Sequence, residues 1–555
     1  MSNSDLQRRT PFDPLDRALM VAVILVALVA RALPGPRTID DAYITFRYAR
    51  NLVEGVGFVY NPGEHVLGTT TPLFATLMAF VGFATGRGDY PSFALIVSAL
   101  ADAATCTLLY RLARRLLDSR IPAVALGLLW AVAPMSVTFA IGGMETSLFI
   151  LWMTATFWLY MSGRERWIGL TAALGVLTRP DALIWAGLIF LHQLWGRFRT
   201  RGGRPLHDWL PWREWVIFVA VLLPWAIFAL AYFGSPLPRT AGAKTLAYTL
   251  NPGASLVRLL QHFATPFFEY DALGAPGIGI GLALYPLLFA VGALRMVRGT
   301  PGGGRALPML LYPVLYAIPF AVTNILIFRW YLAPPLPAYF LGIVAGGWTV
   351  ASALRRAAPG RLTAGSPGAE RRVTLPAIAA FTALAIVWLA FSLNAWTLHP
   401  DHGPDRPSPE MAFIAQELLY EQVGRKLADE YGVKTSTLVA TNDIGAIGYY
   451  SRATIMDTVG LVTPLASAYY PVNPAIIVPG NNYAIPTGLI LETQPEIITF
   501  LESAGRLGLL QDPAFQEAYR LTETLDSTLY QSRGMLIFTR EPSAAPGSPA
   551  TDAGP

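Results

Sequence analysis

The stretch PSFALIVSALADAATCTLLYRLARRLLDSRIPAVALGLLWAVAPMSVTFAI, residues 91–141, decides the fold class. It holds two apolar runs, Pro91 to Leu112 and Ile121 to Ile141, around Arg111, Arg114, Arg115 and Arg120. Each run matches the roughly 20 apolar residues that a bilayer-spanning helix needs. Arginine-rich loops stay in the cytoplasm, so the pair predicts a membrane hairpin with its turn inside. Composition agrees. Of the 555 residues 53% are hydrophobic and 14% charged, too little charge to clothe a soluble body of this size.

Working towards the N-terminus, the run Ala18 to Leu33 follows Arg8, Arg9 and Arg17. Ala30-Arg31-Ala32 resembles a signal cleavage site, but the later spans need an orientation signal, so we read an uncleaved first helix. Towards the C-terminus, further spans are expected at Thr146 to Met161, Trp215 to Phe233, Ile278 to Val297, Leu307 to Thr323, Trp330 to Leu354 and Val373 to Ala395. Trp167 to Trp195 is broken at Thr178-Arg179-Pro180-Asp181, which predicts two short helices meeting outside, with Arg197, Arg199, Arg201 and Arg204 inside. Arg295, Arg298, Arg305, Arg355, Arg356, Arg361, Arg371 and Arg372 mark further inner loops. Pro72 to Gly86 is too short to span, and is expected as an interfacial or re-entrant helix on the outer face.

The expected fold is a polytopic α-helical membrane protein of about eleven spans, multi-pass in the cell membrane with a cytoplasmic N-terminus. Residues 1–395 form the membrane domain, with long outer loops at 35–71 and 234–277. From Trp396 charged residues become frequent and short strand-like runs appear, such as Thr437 to Thr441 and Met535 to Thr539. Residues 396–541 are expected as an extracytoplasmic α+β domain with an amphipathic helix over Gln494 to Leu507. The Pro-, Ala- and Gly-rich tail at 542–555 is expected to be disordered.

Several function classes fall away. Cys106 is the only cysteine, so no disulfide framework or cysteine metal site exists. No basic, aromatic-interleaved soluble segment suggests nucleic acid. His399 and His402 stand without a further ligand cluster, so no metal is expected. Gly445 and Gly448 lack the spacing and context of a dinucleotide loop. No internal repeat supports an inverted-repeat transporter. The inner loops are short and arginine-rich, without a nucleotide-sugar site.

The chemistry concentrates in the first outer loop, DDAYITFRYARNLVEG, residues 40–55. Ile44, Tyr48 and Leu52 share one helical face; Arg47, Arg50, Asn51 and Glu54 share another; Gly55 supplies a C-cap. This predicts a short amphipathic helix at the outer membrane surface. Asp40 and Asp41 sit at its N-terminus, where the helix dipole favours ionised carboxylates. Asp is also a favoured N-cap, but a cap accounts for one aspartate rather than two. A carboxylate held there is able to act as general base on a sugar hydroxyl.

The run from Asp40 through Tyr60-Asn61-Pro62-Gly63-Glu64 to Gly68-Thr69-Thr70-Thr71-Pro72-Leu73 resembles the integral-membrane GT-C glycosyltransferases. Within them it looks most like the cell-wall arabinofuranosyltransferase-like branch. Gly142-Gly143-Met144-Glu145-Thr146, Leu177-Thr178-Arg179-Pro180-Asp181, Asp443-Ile444-Gly445-Ala446-Ile447-Gly448-Tyr449-Tyr450 and Met456-Asp457-Thr458-Val459-Gly460-Leu461 are similar to that branch too. The resemblance implies inverting transfer from a polyprenyl-phosphate sugar to an acceptor hydroxyl on a glycan, lipid or protein. It implies a catalytic aspartate in this loop, Asp40 first and Asp41 next, with Tyr43 and Arg47 of the aromatic-arginine helix near substrate. The donor is a substrate, so no cofactor is expected. Thr69-Thr70-Thr71 departs from the aromatic and asparagine usual in the family, which leaves sugar and acceptor open.

Other candidates follow from position. Glu145 stands at the outer end of a span, as substrate contact or as helix-start carboxylate. Arg179 and Asp181 flank a proline break, where ionisable groups pair with each other or face a water-filled site. Arg239, Lys244 and Arg329 are cations suited to the donor phosphate, with Tyr331 shaping a cavity beside Arg329. Snorkelling to headgroups is the alternative for Arg329. Transfer of a lipid-linked phosphosugar, oligosaccharide ligation, and lipid or sugar transport are the competing functions.

Overall fold

The computed structural model describes residues 12–541 apart from 204, 300–301, 358–366, 400–401, 404 and 412. Arg8, Arg9, Arg204, Arg361 and the tail at 542–555 lie outside the described residues. The chain divides into two compact units. The first comprises Met1–Gly55, Thr69–Pro236 and Asn251–Glu417; the second comprises Val56–Gly68, Leu237–Leu250 and Leu418–Pro555.

The first unit is helical. Five of its described helices are long and apolar enough to cross a membrane: Tyr90–Leu117, Trp212–Phe233, Glu269–Gly299, Gly303–Thr323 and Leu336–Ala353. The pair Arg120–Val132 and Pro134–Ile141, bent by 43°, makes a sixth if counted as one broken span. Thr146–Met161 and Ile378–Asn394 are apolar but shorter, so the structure supplies five or six candidate spans where about eleven were expected. Proline sets the breaks. Ala133 is extended before Pro134, and Arg179 (φ −156°, ψ 134°) is extended before Pro180, because a following proline disfavours the helical region. The expected break at 178–181 therefore separates helices Ile168–Thr178 and Ala182–Arg199.

Apolar side chains line the outside of this unit as well as its core. Val216, Val219, Leu223, Ile227 and Leu230 of Trp212–Phe233 are all exposed, as a lipid-facing helix requires. The first helix, Pro14–Ala32, is bound into the bundle by a buried ion pair, Arg31 Nε to Asp102 Oδ2 at 3.0 Å. Ser147 Oγ donates to the same carboxylate oxygen at 3.0 Å, which offsets part of the burial cost. Helix Pro72–Thr85, with 14 residues, reaches only about 21 Å, short of a hydrocarbon core about 30 Å thick.

The second unit carries a five-stranded sheet: β1 (Leu438–Thr441), β2 (Thr454–Asp457), β3 (Ile497–Leu501), β4 (Tyr519–Leu525) and β5 (Met535–Arg540). Their order is β2-β1-β3-β5-β4, with β1 parallel to β2 and β3, and β5 antiparallel to β3 and β4. The sheet is mixed. The helix expected over Gln494 to Leu507 is absent; that segment contains the fully buried strand β3. Ile497-Ile498-Thr499-Phe500-Leu501 is β-branched and aromatic, and a continuous apolar run of this length suits a strand covered on both faces.

Pieces of both long loops belong to this unit. Asn61 flanks β2 like a further ladder partner: its Oδ1 accepts from Ile455 N–H at 3.0 Å and its Nδ2 donates to Ile455 O at 2.8 Å. Tyr60 hydroxyl donates to Ile444 carbonyl. Thr240 Oγ1 donates to Gly68 O at 2.7 Å, and Thr249 N–H to Asn482 O at 2.9 Å.

Candidate active site

The helix Asp40–Val53 forms where its sequence expects it, with Ile39 rather than Asp40 at the N-cap. Asp40 and Asp41 thus occupy the first turn, both half-buried, where backbone N–H groups favour negative charge. The helix is not a surface-lying one: Ala42 to Asn51 are all buried, Tyr43 and Arg47 among them. Packing explains the difference. Phe46 stacks on Tyr90 with centroids 5.9 Å apart, Tyr43 meets Phe46 edge-on, and Thr45 hydrogen-bonds Thr71 at 3.1 Å. Both the polar and the apolar face are therefore covered by protein.

The Gly142-Gly143 motif fixes the approach of this helix. Arg37 N–H donates to Ile141 O at 2.7 Å and Ile39 N–H to Gly142 O at 2.9 Å. A Cβ on Gly142 would sit 2.6 Å from Ile39 Cδ1, and one on Gly143 3.1 Å from Phe46 Cζ. Gly143 also has φ +74°, a conformation in which a side chain is strained.

Two residues beyond Gly143 lies Glu145, the start of an ionic cluster. Arg179, 3% exposed, grips Asp181 with two bonds, Nε to Oδ1 at 3.1 Å and Nη2 to Oδ2 at 2.8 Å. Its Nη1 reaches Glu145 Oε1 at 3.6 Å and Trp330 O at 3.4 Å. Tyr316 hydroxyl donates to Asp181 Oδ2 at 3.1 Å, and the Tyr331 ring lies 5.0 Å from the guanidinium carbon. Asp41 acts electrostatically on Glu145, so Asp41 and this cluster share one electrostatic neighbourhood. Sequence-predicted Asp41, Glu145, Arg179, Asp181 and Tyr331 are thereby brought together.

Arg329 is held by Glu410, Nη1 to Oε1 at 3.2 Å, rather than left to snorkel. Arg258, half-buried on helix Ala254–Ala264, lies within the field of Arg329. Burial, with both guanidiniums adding to it, pushes the His262 imidazole down to about 4, so it is neutral at pH 7. Its Nε2 faces Leu332 carbonyl at 3.0 Å and therefore carries the proton. Two cations and a neutral donor thus surround the turn at 329–332. Arg239 and Lys244 belong to the second unit, where Arg239 N–H bonds Leu67 O at 3.1 Å and Lys244 lies on helix Thr240–Ala247. Among the described residues no three His, Cys, Asp or Glu side chains converge as metal ligands.

A family model described as a domain of unknown function (DUF8728) matches residues 411–541. The terminal beta-(1->2)-arabinofuranosyltransferase of Mycobacterium tuberculosis is 29% identical over 232 residues, 38% of this chain and 35% of that protein. The aligned region thus spans about a third of that relative's length. Among solved structures, ArnT from Cupriavidus metallidurans in the apo state aligns with a TM-score of 0.53 at 14% identity, over 94% of this chain and 97% of that one. Archaeal oligosaccharyltransferase AglB from Archaeoglobus fulgidus, in complex with an inhibitory peptide and a dolichol-phosphate, aligns with a TM-score of 0.50 at 13% identity, over 98% of this chain and 76% of that one. The chain thus shares its fold with these two solved structures. Its five described helices long and apolar enough to cross a membrane accord with such a fold.

Within this fold two groups had no sequence signal. Glu417, 4% exposed at the start of helix Ile414–Asp429, accepts the Asp40 backbone N–H on Oε1 at 3.3 Å, across 377 residues. Arg258 sits in an amphipathic loop helix in which the local spacing gave it no distinction. Only tertiary structure marks either one.

Proposed function

We propose that the chain is a glycosyltransferase taking its sugar from a polyprenyl-phosphate donor on the outer face of the membrane. In this reading the chain crosses the membrane about eleven times, with a cytoplasmic N-terminus and the sheet-bearing unit outside. The carrying observation is the pair Asp40 and Asp41, held in a helix first turn and coupled through Asp41 to the buried Glu145–Arg179–Asp181 cluster. The likeness to an arabinofuranosyltransferase and the fold both support it.

Asp40 acts as general base. It takes the acceptor hydroxyl proton as the oxygen forms a bond to the anomeric carbon from the face opposite the phosphate. The carbon–oxygen bond to the phosphate breaks, and its electron pair leaves on the lipid phosphate, so the configuration inverts. Arg329, with Arg258 beside it, receives that phosphate; guanidiniums suit it through paired hydrogen bonds. Arg239 and Lys244 are further candidates for the donor. Tyr43, Arg47, Glu145, Arg179, Asp181 and Tyr331 shape and orient the sugar and acceptor site.

Purified protein offered a panel of polyprenyl-phosphate pentoses and hexoses, and a pyrophosphate-linked oligosaccharide, tests this. Transfer is expected from a monosaccharide donor, and Asp40→Asn is expected to lower kcat/KM by about 10²–10⁴-fold, the usual worth of a general base. Full activity in both Asp40→Asn and Asp41→Asn would sink the mechanism. Transfer of whole oligosaccharide would make the protein a ligase, and movement of lipid without transfer would make it a transporter.

A further inference from the structure

Glu417 is an anomaly among the buried acids of the first unit. Asp102 has Arg31, Glu145 has Arg179, and Glu269, which also lacks a cation, accepts hydrogen bonds on both oxygens, from Tyr285 hydroxyl and Phe267 N–H. Glu417 has no cation among the described residues. The charged groups acting on it are Asp40 and Asp41, both of its own sign. Its Oε1 accepts one long hydrogen bond from the Asp40 amide, and its Oε2 is buried with no hydrogen-bond partner. A buried carboxylate in that setting would be an uncompensated charge, whereas a protonated carboxyl has a hydrogen to donate and no charge to bury.

We infer that Glu417 is a positioning residue for Asp40: it holds the proton of the acid pair, so that Asp40 holds the charge. Two carboxyls that repel each other in this way titrate as a unit, and the second ionisation is the costly one. Burial and the neighbouring aspartates both push the Glu417 carboxyl well above the usual carboxylate range. Neutral Glu417 adds no third negative charge to Asp40 and Asp41. Once Glu417 ionises, a further carboxylate faces an anionic phosphate donor, and productive donor binding falls. The inference rests on the transferase reading for its kinetic consequence, though not for its protonation state.

Two measurements on the full-length protein in detergent separate these. The first is infrared difference spectroscopy of native protein against Glu417→Gln at pH 7. A protonated-carboxyl C=O band present in native protein and lost in the variant is expected. In Asp40→Asn, which removes the nearest like charge, that band should titrate away at lower pH than in native protein. No such band, or an unchanged midpoint in Asp40→Asn, overturns the inference. The second is the pH profile of kcat/KM with a polyprenyl-phosphate sugar: native protein should show an alkaline fall that Glu417→Gln lacks. The same alkaline fall in both overturns the inference, whereas a merely structural glutamate would lower the whole profile without removing one limb. Native protein inert to every donor, with the band and its shift intact, overturns the transferase reading and supports the acid pair.

Discussion

Replacing Arg179 with glutamine removes the cation on which a buried and a half-buried carboxylate, Glu145 and Asp181, depend. The guanidinium makes two charge-assisted bonds to Asp181, reaches Glu145 at 3.6 Å, and lies over the rings of Phe149 and Tyr331. Bonds of this kind contribute about 1.5–3 kcal/mol each, and a partly desolvated cation–π contact about 1–2 kcal/mol. They are not additive, and Asp181 keeps 19% of its side chain in contact with solvent, which limits the loss. Removing one partner of a buried pair costs about 3–5 kcal/mol, and that is the expected loss for Arg179→Gln. Denaturant unfolding in detergent, followed by tryptophan fluorescence, measures it. The decisive comparison is a cycle with Asp181→Asn, in which the double variant should recover about 1–3 kcal/mol relative to the sum of the singles. An Arg179→Gln midpoint equal to the native one, or strict additivity in the cycle, would refute the reasoning.

Gly143→Ala places a methyl at φ +74° and 3.1 Å from Phe46, so a loss of about 1–3 kcal/mol is expected, with weakened transfer as the Asp40 helix shifts. Unfolding midpoints and kcat together check it, and a stable, fully active variant would count against the close approach as the reason for the Gly-Gly pair. In the second unit, burial pushes the Asp457 carboxyl up to about 6 from 3.8, despite backbone N–H bonds from Val459 and Val462 that favour its charge. The folded state therefore binds the proton more tightly than the unfolded one, and its contribution is full below about pH 4 and lost as pH rises through about 6. The difference of roughly two pKa units corresponds to about 3 kcal/mol. The protection of residues 454–462 against hydrogen exchange, taken relative to the intrinsic exchange rate at each pH, should fall over that window in native protein and hardly change in Asp457→Asn; a flat native profile would contradict the shift.

Local signals were the legible ones. The hairpin at 91–141, the helix opening at Asp40 and the break at Arg179-Pro180 each rest on neighbours within a turn or two, and each appears in the structure. The amphipathic pattern of residues 40–53 misled because arginine and asparagine on its polar face are buried among protein groups, which period alone does not reveal. Gln494 to Leu507 misled for a related reason: a short strand covered on both faces has no alternation, and its apolar run imitates a helix face. Of the site, the pairing of Arg179 with Asp181 was visible as one of two options. Glu417 was invisible, since nothing in its own helix marks the residue that meets Asp40 from 377 positions away.

The turn Arg329–Tyr331 and the residue after it have a practical consequence for anyone building chimaeras. Four successive residues serve three partners: Arg329 binds Glu410, the Trp330 carbonyl and the Tyr331 ring hold Arg179, and the Leu332 carbonyl accepts a hydrogen bond from His262. A transplanted loop at this point carries its own register with it. Inserting or deleting one residue would misalign all the later contacts at once, so a workable graft must bring residues 179–181, 258–262 and 410 along as a set.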